Sequence, residues 1–193
     1  MRELAPSAEL VCGMSLGGIT AICLAAQHPD LVRRLAIVDV TPGVDHAKAE
    51  PIVAFVSGPE TFATFDEILD RTVQFNPTRS VSSLRRGILH NAKENPDGSW
   101  TWRWDPMREW NFPEGEDVVP DFGSLWDKVD QIQCPILFLR GGADGSVVND
   151  EDQEELLRRQ PDTKAVTVEG AGHSLQGDKP LETAALLDAF AGD

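Results

Sequence analysis

The stretch Val11-Cys12-Gly13-Met14-Ser15-Leu16-Gly17-Gly18 decides the fold, because it places a serine between glycines directly after a short apolar run. The pattern Gly-x-Ser-x-Gly is typical of a sharp turn from a strand into a helix, with the serine hydroxyl exposed at the end of the sheet. We expect a side chain at Gly13 or Gly17 to collide with this turn or with a neighbouring strand. The pentapeptide alone leaves two interpretations open, a reactive serine and an ordinary strand-helix junction.

The residues after this turn predict a parallel sheet. Leu16–Gln27 is apolar on almost every face, which predicts a buried helix that ends before Pro29. The run at 35–40, apolar except for Asp39, then predicts a strand that is covered on both faces. Strand, helix and strand in this order imply a right-handed crossover between parallel strands.

Two further strands are predicted, an apolar run and an alternating outer strand, and each leads into a glycine-rich loop that holds a candidate functional residue. The run at 136–139 precedes the loop that holds Asp144, and the run at 164–168 precedes the loop that holds His173. Such loops, at the carboxyl ends of parallel strands, are where open α/β sheets keep functional groups. A capping aspartate and a solvated loop histidine are the alternatives. Together with Ser15, the chain order predicts a serine, aspartate and histidine triad.

A second candidate for the acid is Asp39, which lies at the end of the strand predicted at 35–40. Its position at a parallel strand end suits the role, but the glycine-rich loop around Asp144 suits it better. The sequence therefore predicts Asp144 as the acid, with Asp39 as the alternative.

The middle of the chain differs in character and predicts a helical cap. We divide the chain into core at 1–42, cap at 43–119 and core again at 120–193, with cap helices at 65–75 and 80–93. Three tryptophans alternate with other residues and would share one face of an extended segment. The rings either form a pocket wall, to which Met14 would also belong, or pack the cap onto the core; they are Trp100, Trp102 and Trp104.

Composition excludes several classes of function. Lys and Arg number 17 against 32 Asp and Glu, so the net charge of -15 repels nucleic acids and anionic membranes. No apolar run has the length of a membrane span and no signal peptide is recognisable, so we expect a cytoplasmic protein. The three cysteines lie in apolar surroundings and the four histidines lack ligand spacing. We therefore expect reduced core thiols, and neither a metal nor another cofactor.

At this point the sequence resembles the α/β-hydrolase superfamily, through G-M-S-L-G-G around Ser15, L-R-G-G-A-D ending at Asp144 and G-A-G-H-S-L around His173. The resemblance implies a mostly parallel sheet with helices on both faces and a helical cap insertion. The motifs I-V-D-V-T-P and W-T-W-R-W-D-P are similar to those of cap-bearing esterases and carbon-carbon bond hydrolases.

The resemblance also implies a chemistry. Ser15 would attack the carbonyl of a small-molecule ester, lactone or related acyl compound, His173 would accept its proton, and Asp144 would orient the imidazole. The backbone N–H of Leu16 would stabilise the oxyanion. Carbon-carbon hydrolysis of a diketone is one alternative, and a non-catalytic half-sheet that acts as a scaffold or dimerisation module is another.

One feature departs from the superfamily, whose members carry strands and a second oxyanion loop of the His-Gly type before the elbow. Here the elbow strand starts at about residue 8, so we expect those elements to be missing from this sequence. The strand would then form an exposed edge that pairs with a second copy or a partner chain. Two alternatives to an active hydrolase follow, a folded chain with little activity and a natural start that lies upstream of Met1.

Overall fold

The computed structural model of the protein describes residues 1–6, 8–44, 46–76, 79–104 and 122–192. The chain divides into two compact units, one formed by Met1–Lys48 with Pro120–Asp193 and the other by Ala49–Val119. The second unit begins six residues after the predicted start of the cap at residue 43. The predicted end of the cap at residue 119 lies outside the described residues.

The strands and helices follow one another in chain order. The strands are β1 (Val11–Met14), β2 (Leu35–Val38), β3 (Thr61–Phe62), β4 (Ala92–Glu94), β5 (Trp100–Trp102), β6 (Ile136–Gly141) and β7 (Lys164–Val168). The helices are α1 (Leu16–Gln27), α2 (His46–Val56), α3 (Phe65–Phe75), α4 (Val81–Asn91), α5 (Trp126–Val129), α6 (Asp150–Arg159), α7 (Leu175–Asp178) and α8 (Pro180–Gly192).

The first unit is built on a parallel sheet in the order β1-β2-β6-β7. In the register of this sheet Met14 pairs with Val38, and Val38 pairs with Leu139. All four residues of β2 are buried, which explains why the inner strands read as unbroken apolar runs. The predicted parallel α/β sheet is confirmed.

Helices cover both faces of this sheet. Alternate strand residues form one apolar cluster with α7 and α8, and the residues between them are buried on the opposite face. Helix α1 packs against β1 and β2. The members of the cluster on the α8 side are Ala36, Val38, Leu137, Leu139, Val168, Ala171, Leu175 and Phe190.

Strands β1 and β7 are the two edges of the sheet in the described part of the chain. Cys12 is exposed on β1, so the expectation of a core thiol is wrong at this position. The pairing of β1 with a second copy or a partner chain stays a prediction. None of the helices in the described ranges is long and apolar enough to cross a membrane.

The second unit combines helices with a small antiparallel sheet in the order β3-β5-β4. Helix α3 has the predicted bounds, and α4 ends at Asn91, where the chain continues directly into β4. The sequence predicted neither this sheet nor α2, which contains Pro51. The alternating tryptophans mark β5, but β3 and β4 have only two and three residues and show no such pattern, so the purely helical description of the cap was incomplete.

The turn between β1 and α1 depends on two of its three glycines. A Cβ at Gly13 would lie 2.3 Å from the carbonyl oxygen of Gly17, and one at Gly18 would lie 2.5 Å from Cγ1 of Val40. A Cβ at Gly17 would meet no atom within 4 Å. The expected collision at Gly17 is therefore wrong, because this residue lies on the exposed side of α1.

We expect Gly13→Ala to lower the free energy of unfolding by roughly 1–3 kcal/mol, because backbone atoms must move to admit the methyl group. Gly17→Ala is the matched control, and it should leave stability unchanged or raise it by up to about 1 kcal/mol, since alanine favours the helix. Urea unfolding of both variants measures the difference. Equal losses from the two substitutions would contradict this account of the turn.

Candidate active site

Ser15 lies in the turn between β1 and α1 in a conformation that side chains rarely adopt. Its φ is 52° and its ψ is -129°. The N–H of Ser15 donates to the carbonyl of Val38 at 3.2 Å, and its own carbonyl accepts from Gly18 and Ile19. The backbone is therefore fixed on both sides of the strained residue. Such an outlier, held by its surroundings, is a mark of functional sites.

Asp39 is the second strained residue, and it lies beside the first. Among the non-glycine residues that the structure describes, only Ser15 and Asp39 have a positive φ, which is 48° at Asp39. Asp39 follows Val38 and Ser15 follows Met14, and Val38 and Met14 are partners in the sheet. Ser15 and Asp39 therefore continue adjacent parallel strands at the same end of the sheet. Parallel pairing thus places the serine and this aspartate next to each other.

The carboxylate of Asp39 is fully buried and has four polar partners. Its Oδ1 accepts from the Gly141 N–H at 2.8 Å and from the Ser146 hydroxyl at 2.6 Å. Its Oδ2 accepts from the Val147 N–H at 3.1 Å and lies 2.9 Å from Nδ1 of His173. A buried carboxylate is costly without donors, and this arrangement supplies them to both oxygens.

His173 reaches this carboxylate from the loop between β7 and α7, and its side chain is 12% exposed. An ionised carboxylate only accepts hydrogen bonds, so the proton between the two side chains belongs on Nδ1. The other ring nitrogen, Nε2, is then free to accept a proton. This is the tautomer that a general base beside a serine requires.

Gly141 permits the close approach of the histidine loop to β6. A Cβ at this position would lie 2.5 Å from the carbonyl oxygen of Gly172, the residue before His173. Gly141 also donates its N–H to Oδ1 of Asp39. The loop is also fixed from the other side, where the Gly172 N–H donates to Oδ2 of Asp178 at 3.0 Å.

Asp144, the acid that the sequence favoured, lies elsewhere. Its side chain is exposed in the loop after β6, and it lines a cavity of about 590 Å³ that Arg140, Ser146 and Thr167 also line. The carboxylate that meets His173 is that of Asp39, the alternative acid. The loop after β6 turns Ser146 and backbone N–H groups towards Asp39 and leaves Asp144 facing solvent.

Of the remaining predicted site residues, Leu16 and Met14 lie at the turn between β1 and α1, and the three tryptophans lie in the second unit. Leu16 begins α1 with a side chain that is 51% exposed, and Met14 accepts a hydrogen bond at Sδ from Nε2 of Gln176 at 2.9 Å. The tryptophans belong to the core of the second unit. The rings of Trp102 and Trp104 stack at 4.2 Å, and Trp100 meets Phe65 at 4.9 Å. These contacts favour the packing interpretation over the pocket wall.

Sequence reasoning missed the donors that hold Asp39, namely the hydroxyl of Ser146 and the N–H groups of Gly141 and Val147. The signal available was the loop Gly141-Gly142-Ala143-Asp144-Gly145-Ser146, where a serine and several flexible residues follow a buried strand. Within the described ranges, no group of three His, Cys, Asp or Glu side chains is placed to hold a metal ion.

Comparison with known proteins extends over nearly the whole chain. The chain is 46% identical over 199 residues to the esterase Rv0045c of Mycobacterium tuberculosis, with 100% of this chain and 62% of that protein covered. It is 28% identical over 200 residues to the sn-1-specific diacylglycerol lipase ABHD11 of Mus musculus, with 98% of this chain and 62% of the relative covered. The chain therefore spans less than two thirds of the length of these relatives.

Solved structures agree with the fold described above. A crystal structure of the esterase Rv0045c superposes with a TM-score of 0.79 at 40% identity, covering 100% of this chain and 63% of the other. E-2-(acetamidomethylene)succinate hydrolase superposes with a TM-score of 0.77 at 20% identity, covering 95% of this chain and 66% of the other, which shows the fold alone. Residues 2–186 match the family model described as the alpha/beta hydrolase family, and the chain belongs to this family.

Proposed function

We propose that the protein is an esterase for small-molecule carboxylic esters, with Ser15 as nucleophile, His173 as general base and Asp39 as the acid. The observation that carries the proposal is the 2.9 Å contact between Nδ1 of His173 and the buried carboxylate of Asp39, whose strand pairs in parallel with the strand that leads into Ser15. The esterase name of the relative at 46% identity supports it. All three residues of the proposed triad lie within this chain.

Each residue has a defined step in the proposed reaction. His173 accepts the proton of the Ser15 hydroxyl at Nε2 as the oxygen attacks the ester carbonyl. The imidazolium returns this proton to the leaving alcohol and an acyl-enzyme remains. His173 then activates a water molecule that hydrolyses the acyl-enzyme and restores Ser15. Throughout, the carboxylate of Asp39 holds the imidazole in one tautomer and stabilises its positive charge.

The backbone N–H of Leu16 is our proposed donor to the oxyanion. The N–H of Ser15 is engaged with the carbonyl of Val38. Leu16 is the next residue and the first of α1, where helical N–H groups have no partner within the helix. The positive end of the helix dipole favours negative charge at the same point.

The choice between an ester and a carbon-carbon substrate rests on the relatives' names. The two curated relatives described above are called an esterase and a lipase, and both names denote ester hydrolysis. We therefore place the ester first and keep the lactone, the related acyl compound and the diketone as substrates to be compared with it. The small-molecule substrate and the cytoplasmic location remain predictions.

We expect a fluorophosphonate probe to label the protein covalently at Ser15, because only an activated serine attacks such a phosphorus centre. Ser15→Ala should abolish labelling, whereas Ser124→Ala, which changes an exposed serine of the same unit, should leave it intact. Mass spectrometry of the labelled peptide measures the site. A folded wild-type protein that stays unlabelled would overturn the proposed nucleophile.

We expect Asp39→Asn to lower kcat for a p-nitrophenyl ester by roughly 10³- to 10⁴-fold, because an amide favours the wrong imidazole tautomer. Asp144→Asn is the matched control and should change kcat by about twofold or less, since its carboxylate is exposed. Steady-state kinetics on both variants, with circular dichroism to verify folding, make the comparison. The opposite ranking would return Asp144 to the role of acid.

A further inference from the structure

We propose that Ser146 is a positioning residue, whose hydroxyl holds the Asp39 carboxylate in the orientation that His173 needs. The inference rests on the proposed function, since it assigns Asp39 to the reaction. It adds a residue that neither the Gly-x-Ser-x-Gly motif nor the predicted triad includes. Ser146 would act through Asp39 and would not touch the substrate.

The hydrogen bonds of Ser146 fix the direction in which its hydroxyl points. The side chain is 4% exposed, and its Oγ lies 2.6 Å from Oδ1 of Asp39. Oγ of Ser146 also accepts a hydrogen bond from the N–H of Val148 at 3.3 Å. Asp39 is an acceptor when ionised and the Val148 N–H is a donor, so the single hydroxyl proton must point at the carboxylate.

The contact with Ser146 is the shortest of the four at this carboxylate. Gly141 and Val147 also donate, but their N–H groups belong to the backbone and are longer, at 2.8 and 3.1 Å. Hydrogen bonds to an ionised acceptor are about twice as strong as neutral ones, and they fix geometry as well. Ser146 and Gly141 hold Oδ1, which sets the rotation of the carboxylate plane and so directs Oδ2 towards His173.

A purely structural role is the competing explanation. Ser146 follows Gly145, whose φ of 112° is a conformation that favours glycine. The hydrogen bond that Oγ of Ser146 accepts from the Val148 N–H helps to shape this loop. If shaping the loop were its whole function, removal of the hydroxyl would lower stability and leave the imidazole of His173 unchanged. The two roles therefore differ at His173, which lies beyond Asp39 in the chain of hydrogen bonds.

Kinetics of three variants test the role in turnover. Ser146→Ala should lower kcat about tenfold and leave KM unchanged, which corresponds to the loss of one hydrogen bond that acts in the transition state. Ser146→Thr retains the hydroxyl and should restore kcat. Ser124→Ala serves as the control for loss of a serine hydroxyl at an exposed position. An unchanged kcat in folded Ser146→Ala would overturn the proposal.

Nuclear magnetic resonance of the imidazole tests the same link without a substrate. Protein labelled with ¹⁵N at histidine should show the Nδ1–H tautomer of His173, identified by its loss in His173→Gln. Ser146→Ala should broaden or shift the Nδ1–H signal, because the accepting carboxylate is less firmly held, while Ser146→Thr should keep it. An identical signal in Ser146→Ala and wild type would show that Ser146 acts on the loop alone and would overturn the proposal.

Two arrangements keep the test decisive. If Ser146→Ala does not fold, Ser146→Cys keeps the side-chain volume with a weaker donor, and its signal should change in the same direction. An unchanged signal in Ser146→Cys then overturns the proposal. Failure of the proposed function is distinguished by the fluorophosphonate probe, because an unlabelled wild-type protein rejects the esterase but leaves the resonance comparison valid.

Discussion

The buried carboxylate of Asp39 is the interaction on which the rest of the site depends. An ionised group with no solvent contact must receive hydrogen bonds, and here they come from two loops that are distant from Asp39 in sequence. The loop after β6 provides the donors at Gly141, Ser146 and Val147, and the loop after β7 provides His173. The parallel sheet makes this possible, because the carboxyl ends of all its strands lie at the same end of the sheet.

The same carboxylate explains the sequence of the loops around it. Gly141 has no side chain, so the histidine loop can approach β6 and the N–H of Gly141 can reach Oδ1. Ser146 is buried where an apolar residue would otherwise be expected, because Asp39 needs a donor there. Gly141 and Ser146, which look like ordinary loop residues in the sequence, thus both donate to one buried charge.

The sequence predicted the sheet of the first unit well, since its signals are strong and local. The strand at Leu35–Val38 and the helix at Leu16–Gln27 can each be recognised from the pattern of their own side chains. The choice between Asp39 and Asp144 could not be made in this way. Both follow parallel strands, and only the path of the loop after β6 decides which carboxylate turns inward. The strands of the second unit were missed because two or three residues, as at Thr61–Phe62, carry no periodicity.

The positive φ angles at Ser15 and Asp39 lower the stability of the fold at the two positions that the proposed reaction uses. Each such conformation costs on the order of 1–3 kcal/mol, and a folded domain is stable by only about 5–15 kcal/mol. The strain at these two residues is therefore sizeable in comparison with the stability of a folded domain. Selection for thermal robustness alone would favour glycine at both positions, and it would remove the side chains that the proposed reaction uses. The strain at Ser15 and Asp39 is therefore a cost that the proposed reaction would explain and that stability alone would not.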